Sequence, residues 1–148
     1  KVYRVNEPKV PLVSYKSFNA YKLFVLDVGL LGALSDLDAQ SILEGNDIFV
    51  EFKGALTEQY VLQQIVSDTP YTPYYFGTDK ATYEQDFLIQ KGKSIVPIEV
   101  KAETNIKSKS LKAFCDKYSP DTAVRFSTMK YINQEWMENI PLYAICNL

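Results

Sequence analysis

Two β-rich runs on either side of a glycine, Gln85-Asp86-Phe87-Leu88-Ile89-Gln90 and Ser94-Ile95-Val96-Pro97-Ile98-Glu99-Val100-Lys101, constrain the fold of this 148-residue chain more than any other feature. Lys91-Gly92 between them is the glycine turn of a hairpin. An even loop predicts Gln90 opposite Lys93 and Asp86 opposite Pro97. Alternation along the strands then gathers Phe87, Ile89, Val96, Ile98 and Val100 on one wholly apolar face, which must be buried. Asp86, Glu99 and Lys101 share the other face. Placing two carboxylates and an ammonium there is costly unless they work together. In this register Asp86 lies diagonal to Glu99, about 7–8 Å between backbones, near enough to share one divalent cation.

With 47% hydrophobic and 14% aromatic residues, the chain has material for one ordinary domain with a sizeable core. The net charge of −2 argues against a general nucleic-acid coating protein. It conceals an asymmetry, because Lys91, Lys93, Lys101, Lys107, Lys109, Lys112 and Lys117 face only Glu99, Glu103 and Asp116. That stretch reads either as a surface for a phosphate backbone, with Lys107, Lys109 and Lys112 in contact, or as a solvated helix face. The absence of histidine excludes Ser-His-Asp hydrolases, histidine metal sites and histidine-dependent nucleases. Acid–base chemistry must use carboxylates, lysine or water. Cys115 and Cys146 stand alone, without the spacing of a zinc or redox motif, and read as buried, reduced thiols of a cytoplasmic protein. No apolar run approaches the roughly 20 residues that cross a bilayer, and no signal peptide is visible.

Val2 to Val5 reads as a short strand followed by a Pro8/Pro11 arm. Residues 1–20 are expected to be an arm or the remnant of an upstream domain, and residues 21–148 the domain itself. The start at Lys1 rather than Met suggests an excised piece of a longer polypeptide. Tyr21 to Leu26 is β-rich, and Asp27 is placed to cap a short helix through Val28, Leu30, Leu31 and Leu34. A short helix is expected at Ala39 to Leu43. From Ile48 to about Val66, the spacing of Ile48, Phe52, Ala55, Leu62 and Val66 predicts the longest helix, with Asp47 as its cap. Glu58 borders that stripe, where a partly exposed glutamate is the ordinary outcome. A tyrosine-rich strand at Thr72 to Thr78 leads into the hairpin. A helix at Ser108 to Tyr118 and strands at Ala123 to Ser127 and Leu142 to Cys146 follow. This order, αβββαβ, predicts an α/β sandwich with a mixed central sheet flanked by helices, in which the crossover helix permits a parallel fourth strand.

An acidic residue on one strand, Glu-x-Lys closing the next, and a glutamate on a preceding helix form the arrangement of the PD-(D/E)xK, or restriction-endonuclease-like, superfamily. The resemblance narrows with Lys22-Leu23-Phe24-Val25-Leu26-Asp27-Val28-Gly29-Leu30-Leu31, Lys53-Gly54-Ala55-Leu56-Thr57-Glu58-Gln59-Tyr60-Val61, Glu84-Gln85-Asp86-Phe87, Ile98-Glu99-Val100-Lys101-Ala102 and Lys107-Ser108-Lys109-Ser110-Leu111. From Lys22 onward the chain resembles the uncharacterised C-terminal domain of a prokaryotic AAA+ ATPase family, itself similar to that superfamily. The resemblance implies an upstream ATPase and winged helix in the same polypeptide. It also implies a site of Glu58, Asp86, Glu99 and Lys101: Asp86, Glu99 and the Val100 carbonyl would hold Mg²⁺ or Mn²⁺, Lys101 would serve the nucleophilic water, and Glu58 would be an accessory acid. Gln85 replaces the proline of the superfamily's name.

Two functions follow. One is a Mg²⁺-dependent nuclease-like domain; the other is a non-catalytic nucleic-acid- or protein-binding module that regulates the ATPase. The chain lacks a phosphate loop and is not itself the ATPase. Tyr71, Tyr74, Tyr75, Phe76 and Tyr83 either stack on unpaired bases or, the more ordinary outcome, fill the half-buried faces of the sheet. Trp136 reads as a packing residue.

Overall fold

In a computed structural model, which describes residues 1–37, 40, 47–77, 84–102 and 107–148 (for 47–51 the backbone alone), eight strands form one mixed sheet. The strands are β1 (Val2–Val5), β2 (Lys16–Lys22), β3 (Tyr74–Gly77), β4 (Glu84–Lys91), β5 (Ser94–Lys101), β6 (Val124–Ser127), β7 (Ile132–Asn133) and β8 (Glu138–Pro141). They lie in the order β2-β1-β3-β4-β5-β6-β8-β7. The meander β3-β4-β5 is antiparallel, and β6 joins β5 in parallel, the arrangement that the crossover helix permits. The helices are α1 (Val28–Leu34), α2 (Asp47–Asp68) and α3 (Lys109–Tyr118).

The hairpin faces divide the core. Phe87, Ile89, Val96 and Ile98 pack with Val61, Leu62 and Ile65 of α2. On the opposite face Leu88 packs with Tyr74, Phe76 and Phe114, the last from α3. Apolar residues therefore occupy both faces, as befits central strands covered by helices on each side.

Several expectations change. The hairpin pairs Lys91 with Ser94 and Phe87 with Ile98, so the turn is Gly92-Lys93 and the register lies two residues from that expected. Gly92 has φ +62, which the first position of a tight hairpin turn requires and which glycine adopts without strain. The even shift preserves which residues share a face but brings Asp86 from diagonal to directly opposite Glu99, one step beyond the last pair. In α2 the buried stripe is Val61, Leu62 and Ile65, while Ala55 and Val66 are exposed. Counting back at i, i+3, i+4 and i+7, Glu58 stands on this stripe itself. Asp47, expected as the cap, is the first described residue of this helix after the gap. Residues 142–146 are not a strand: Pro141 ends β8, and Leu142–Asn147 turns into a 3₁₀ helix whose Leu142, Ala144 and Ile145 pack into the α2-side core. An apolar run that reads as a strand is here a core plug. Residues 1–20 supply β1 and part of β2; β1 pairs with both β2 and β3, and Val2, Val5 and Leu12 are buried. The expected helix at Ala39 to Leu43 falls outside the described residues apart from Gln40. Asp27 caps α1 as read, its Oδ1 accepting the Leu30 N–H at 2.9 Å.

Candidate functional site

The site begins with an irregularity. Tyr74 pairs with Leu88, but Phe76 pairs with Gln85, so β4 places two residues, Asp86 and Phe87, opposite the single Tyr75 of β3. Such a β-bulge bends the strand and re-aims a side chain. The result is visible at Asp86, whose Oδ2 accepts the Val100 N–H of β5 at 2.7 Å. The carboxylate thus takes an in-sheet backbone donor at the place where β4 and β5 stop pairing. Oδ1 is left outside that bond.

Burial pushes the Asp86 carboxyl from 3.8 up to about 7, against the opposing Val100 N–H; Glu58 adds to the rise, Lys22 counters it, and Glu99 adds a smaller push. Glu58 and Glu99 are therefore both within electrostatic reach of Asp86. Glu58, half-buried on α2, meets the Lys22 ammonium at 2.9 Å, and the same ammonium meets Glu84 at 2.7 Å. Burial disfavours the charge on Lys22, but Glu58 and Glu84 outweigh it and hold the lysine above its ordinary pKa. Lys22 also lies 5.3 Å from the centre of the Tyr75 ring.

Glu99 is buried, at 5% exposure, and both its oxygens are engaged. Oε1 pairs with Lys101 Nζ at 2.6 Å, and Oε2 accepts the Leu111 N–H at 3.2 Å. Leu111 lies in the first turn of α3, where backbone donors lack helical partners and a carboxylate is favoured. Ser108, the residue before α3, makes no side-chain cap bond, so Glu99 from the neighbouring strand supplies that acceptor. Arg125, opposite Glu99 on β6, is buried; its Nε donates to Asn139 Oδ1 at 2.8 Å and its Nη1 to Ser108 Oγ at 3.3 Å. Burial lowers its pKa, and Glu99 opposes that.

Asp86 thus lies within electrostatic reach of Glu99, which is paired with Lys101, where the central strands part, and of Glu58 and its partner Lys22 on the α2 side. Among the described residues no three His, Cys, Asp or Glu side chains are grouped to hold a metal ion, so Glu58, Asp86 and Glu99 do not make a three-carboxylate cage. Lys107, Lys109 and Lys112 are exposed along the start of α3. Lys112 pairs with Asp116 at 2.8 Å and sits 5.2 Å from the Trp136 ring, which packs beside Leu111, Ala123 and Met137. Tyr74 and Phe76 are core residues, and Tyr71 and Tyr75 pack against the α2-side core; Tyr83 lies outside the described residues. Cys115 is half-buried and Cys146 is exposed, because the terminal 3₁₀ turn points it outward where a strand would have buried it.

Lys22, Glu84 and Arg125 were not singled out from the sequence. Lys22 and Glu84 do stand inside two of the quoted motifs. No local pattern pairs position 22 with position 58, because the link is made by Gln59 and Gln63. Gln59 holds Val25 through both its N–H and its carbonyl at 3.1 Å, and Gln63 accepts the Val28 N–H at 3.1 Å. These bonds fix the strand-to-helix connection against α2 and deliver Lys22 to Glu58.

Among the described residues no helix is long and apolar enough to cross a membrane. No curated protein and no solved structure matches the chain. Residues 53–145, more than half of the chain and including Glu58, Asp86, Glu99 and Lys101, match a family profile, and the chain belongs to that family, the domain of unknown function DUF4143.

Proposed function

We propose that this chain is a divalent-cation-dependent phosphodiesterase domain acting on nucleic acid. The observation that carries the reading is Asp86: a carboxyl raised to about 7, flanked by Glu58 and Glu99, at the point where two central strands separate. Concentrated, partly dehydrated negative charge of this kind favours a cation. The donors fit a hard ion, since carboxylate oxygens suit Mg²⁺ or Mn²⁺, and Mg²⁺ is commonly held by one or two carboxylates with water completing its shell. Asp86, Glu99 and the Val100 carbonyl would hold it. When bound, the ion would supply charge stabilisation at the scissile phosphate and acidify a water.

The chain's own groups do the rest. Asp86 would ligate the ion as the carboxylate, its proton passing to solvent. Lys101, held 2.6 Å from Glu99, would lie beside the nucleophilic water and orient it. Glu58 adds to the effect of burial in holding Asp86 protonated and is itself paired with Lys22. The resemblance of the sequence supports placing this domain behind an ATPase and a winged helix in the full polypeptide, which would bring it to nucleic acid.

One observation favours the second reading, a non-catalytic regulatory module: both oxygens of Glu99 already serve the chain, through Lys101 and the first turn of α3. The test is Mn²⁺-dependent degradation of labelled single- and double-stranded DNA and RNA, with Glu99→Gln and chelator as controls. Cleavage by the unmutated protein that is lost in both controls supports the enzyme. Binding without cleavage on every substrate, with the ATPase portion restored, supports the module.

A further inference from the structure

The first 26 residues carry five basic side chains and a single acidic one, Glu7, although the whole chain has net charge −2. Their charge is interleaved with aromatic rings at the outer edge of the sheet. Tyr3 of β1 lies 6.4 Å from Phe18 and 5.8 Å from Tyr21 of β2, both edge-on. Lys16 Nζ sits 3.7 Å from the centre of Tyr3 and 5.0 Å from that of Phe18, and Lys1 Nζ sits 4.2 Å from that of Tyr21. These two ammonium groups rest on rings, whereas Lys9 and Lys101 pair with carboxylates, and Lys22 and Lys112 pair with carboxylates while also lying over Tyr75 and Trp136.

A cation–π contact at a surface is weak and leaves the full positive charge in place to meet an anion. Phe18 is 75% exposed and Tyr21 41%, while Tyr3, half-buried, packs against the core cluster of Val5, Leu12 and Phe114 and anchors the two exposed rings to it. Scattered apolar residues on a surface need no explanation, but a contiguous group of rings rimmed by cations marks an interaction site. Strand β2 is also the edge of the sheet, and its last residue, Lys22, is the one bridging Glu58 and Glu84. At about 3.3 Å per residue, Phe18 stands roughly 13 Å along the strand from Lys22.

We propose that the β1–β2 face, through Tyr3, Phe18, Tyr21, Lys1 and Lys16, is a binding platform for single-stranded nucleic acid. The inference rests on the reading of the chain as a nucleic-acid domain and narrows its ligand to an unpaired strand. Unpaired bases offer faces to stack on aromatic rings, and their phosphates meet the lysines; a duplex hides the faces of its bases. The platform leads along β2 to the carboxylates, so a strand held on it would run toward Asp86.

The test is anisotropy of a labelled oligothymidylate in chelator, so that an inactive metal site leaves binding unaffected and the two readings fail separately. The unmutated protein should bind the oligonucleotide more tightly than a duplex of equal length. Phe18→Ala should weaken binding by about five- to a hundredfold, and Lys16→Gln should weaken it while lowering the slope of log affinity against log salt by about 0.7. Tyr21→Ser serves as a second stacking variant, and circular dichroism with thermal melting checks that each variant folds. The inference is overturned if no oligonucleotide binds, if the duplex binds as well as the single strand, or if folded variants bind as tightly as the unmutated chain. It is equally overturned if Phe18→Ala converts a dimer into a monomer in sedimentation while oligonucleotide binding is absent, which would assign the face to a second copy of this chain.

Discussion

Replacing Asp86 with asparagine should make the metal-free protein more stable, and increasingly so as pH rises. In the folded protein the carboxyl titrates near 7 and not at its ordinary 3.8, so between those values the folded state keeps a proton that the unfolded state releases. The unfolded state then binds fewer protons, and stability falls with pH. The contribution from the neutral carboxyl is fully present below about pH 3.8 and is lost as pH rises through about 7. At about 1.36 kcal/mol per pH unit, the rise sets a ceiling of roughly 4 kcal/mol. Part of Asp86 still meets solvent. Screening there should leave about half the ceiling, roughly 2 kcal/mol. Asparagine has nearly the same shape, and its Oδ1 can still accept the Val100 N–H. Urea denaturation in chelator from pH 4 to pH 8 should therefore show nearly equal stabilities at the acid end and an advantage of about 2 kcal/mol for Asp86→Asn at the alkaline end. A difference independent of pH, or an asparagine variant less stable at pH 8, would refute the reasoning.

Gln59 is buried and clamps both backbone groups of Val25, so Gln59→Leu should orphan a donor and an acceptor and cost about 2–4 kcal/mol in denaturant unfolding; a change under about 0.5 kcal/mol would contradict the clamp. Gly92→Val should cost about 1–2 kcal/mol, because a β-branched residue must adopt positive φ at the turn; a neutral result would mean that the hairpin closes differently. In cleavage assays Lys101→Ala should lose about a hundredfold or more in rate while largely keeping nucleic-acid affinity, since one charge is a small part of an electrostatic interface. Replacing Lys107, Lys109 and Lys112 together should instead weaken binding and flatten its salt dependence. Unchanged binding would return those lysines to the ordinary role of a solvated helix face.

The run from α2 to β6 was legible because each element carries its own period. Phe87, Ile89, Val96 and Ile98 alternate over a hairpin, and the run from Ser108 to Tyr118 reads as a helix. The turn was misplaced by one residue because sequence shows a glycine but not which turn position needs positive φ. A shift of two in register kept every face assignment and changed only the distance from Asp86 to Glu99. The phase of α2 was misread because Ala55, Leu62 and Val66 offer a stripe as regular as that of Val61, Leu62 and Ile65, and only the sheet beneath decides between them. The bulge at Asp86 and Phe87 has no local signature, since it is a relation between β3 and β4. For the same reason the lysine that faces Glu58 could not be found: Lys22 arrives there through contacts 34 to 36 residues away in sequence. Glu99, by contrast, stands out in the sequence as a candidate, but its bond to the first turn of α3 emerges only when the helix is in place.

The central claim is that Asp86 and Glu99 together hold a divalent cation, and a crystal soaked in Mn²⁺ tests it most directly through anomalous scattering. The account predicts a single strong peak bonded to carboxylate oxygens of both residues, absent from crystals of Asp86→Asn and of Glu99→Gln. A map with no peak at this point, in which Glu99 keeps both its bond to the Leu111 N–H and its contact with Lys101 undisturbed, would contradict it.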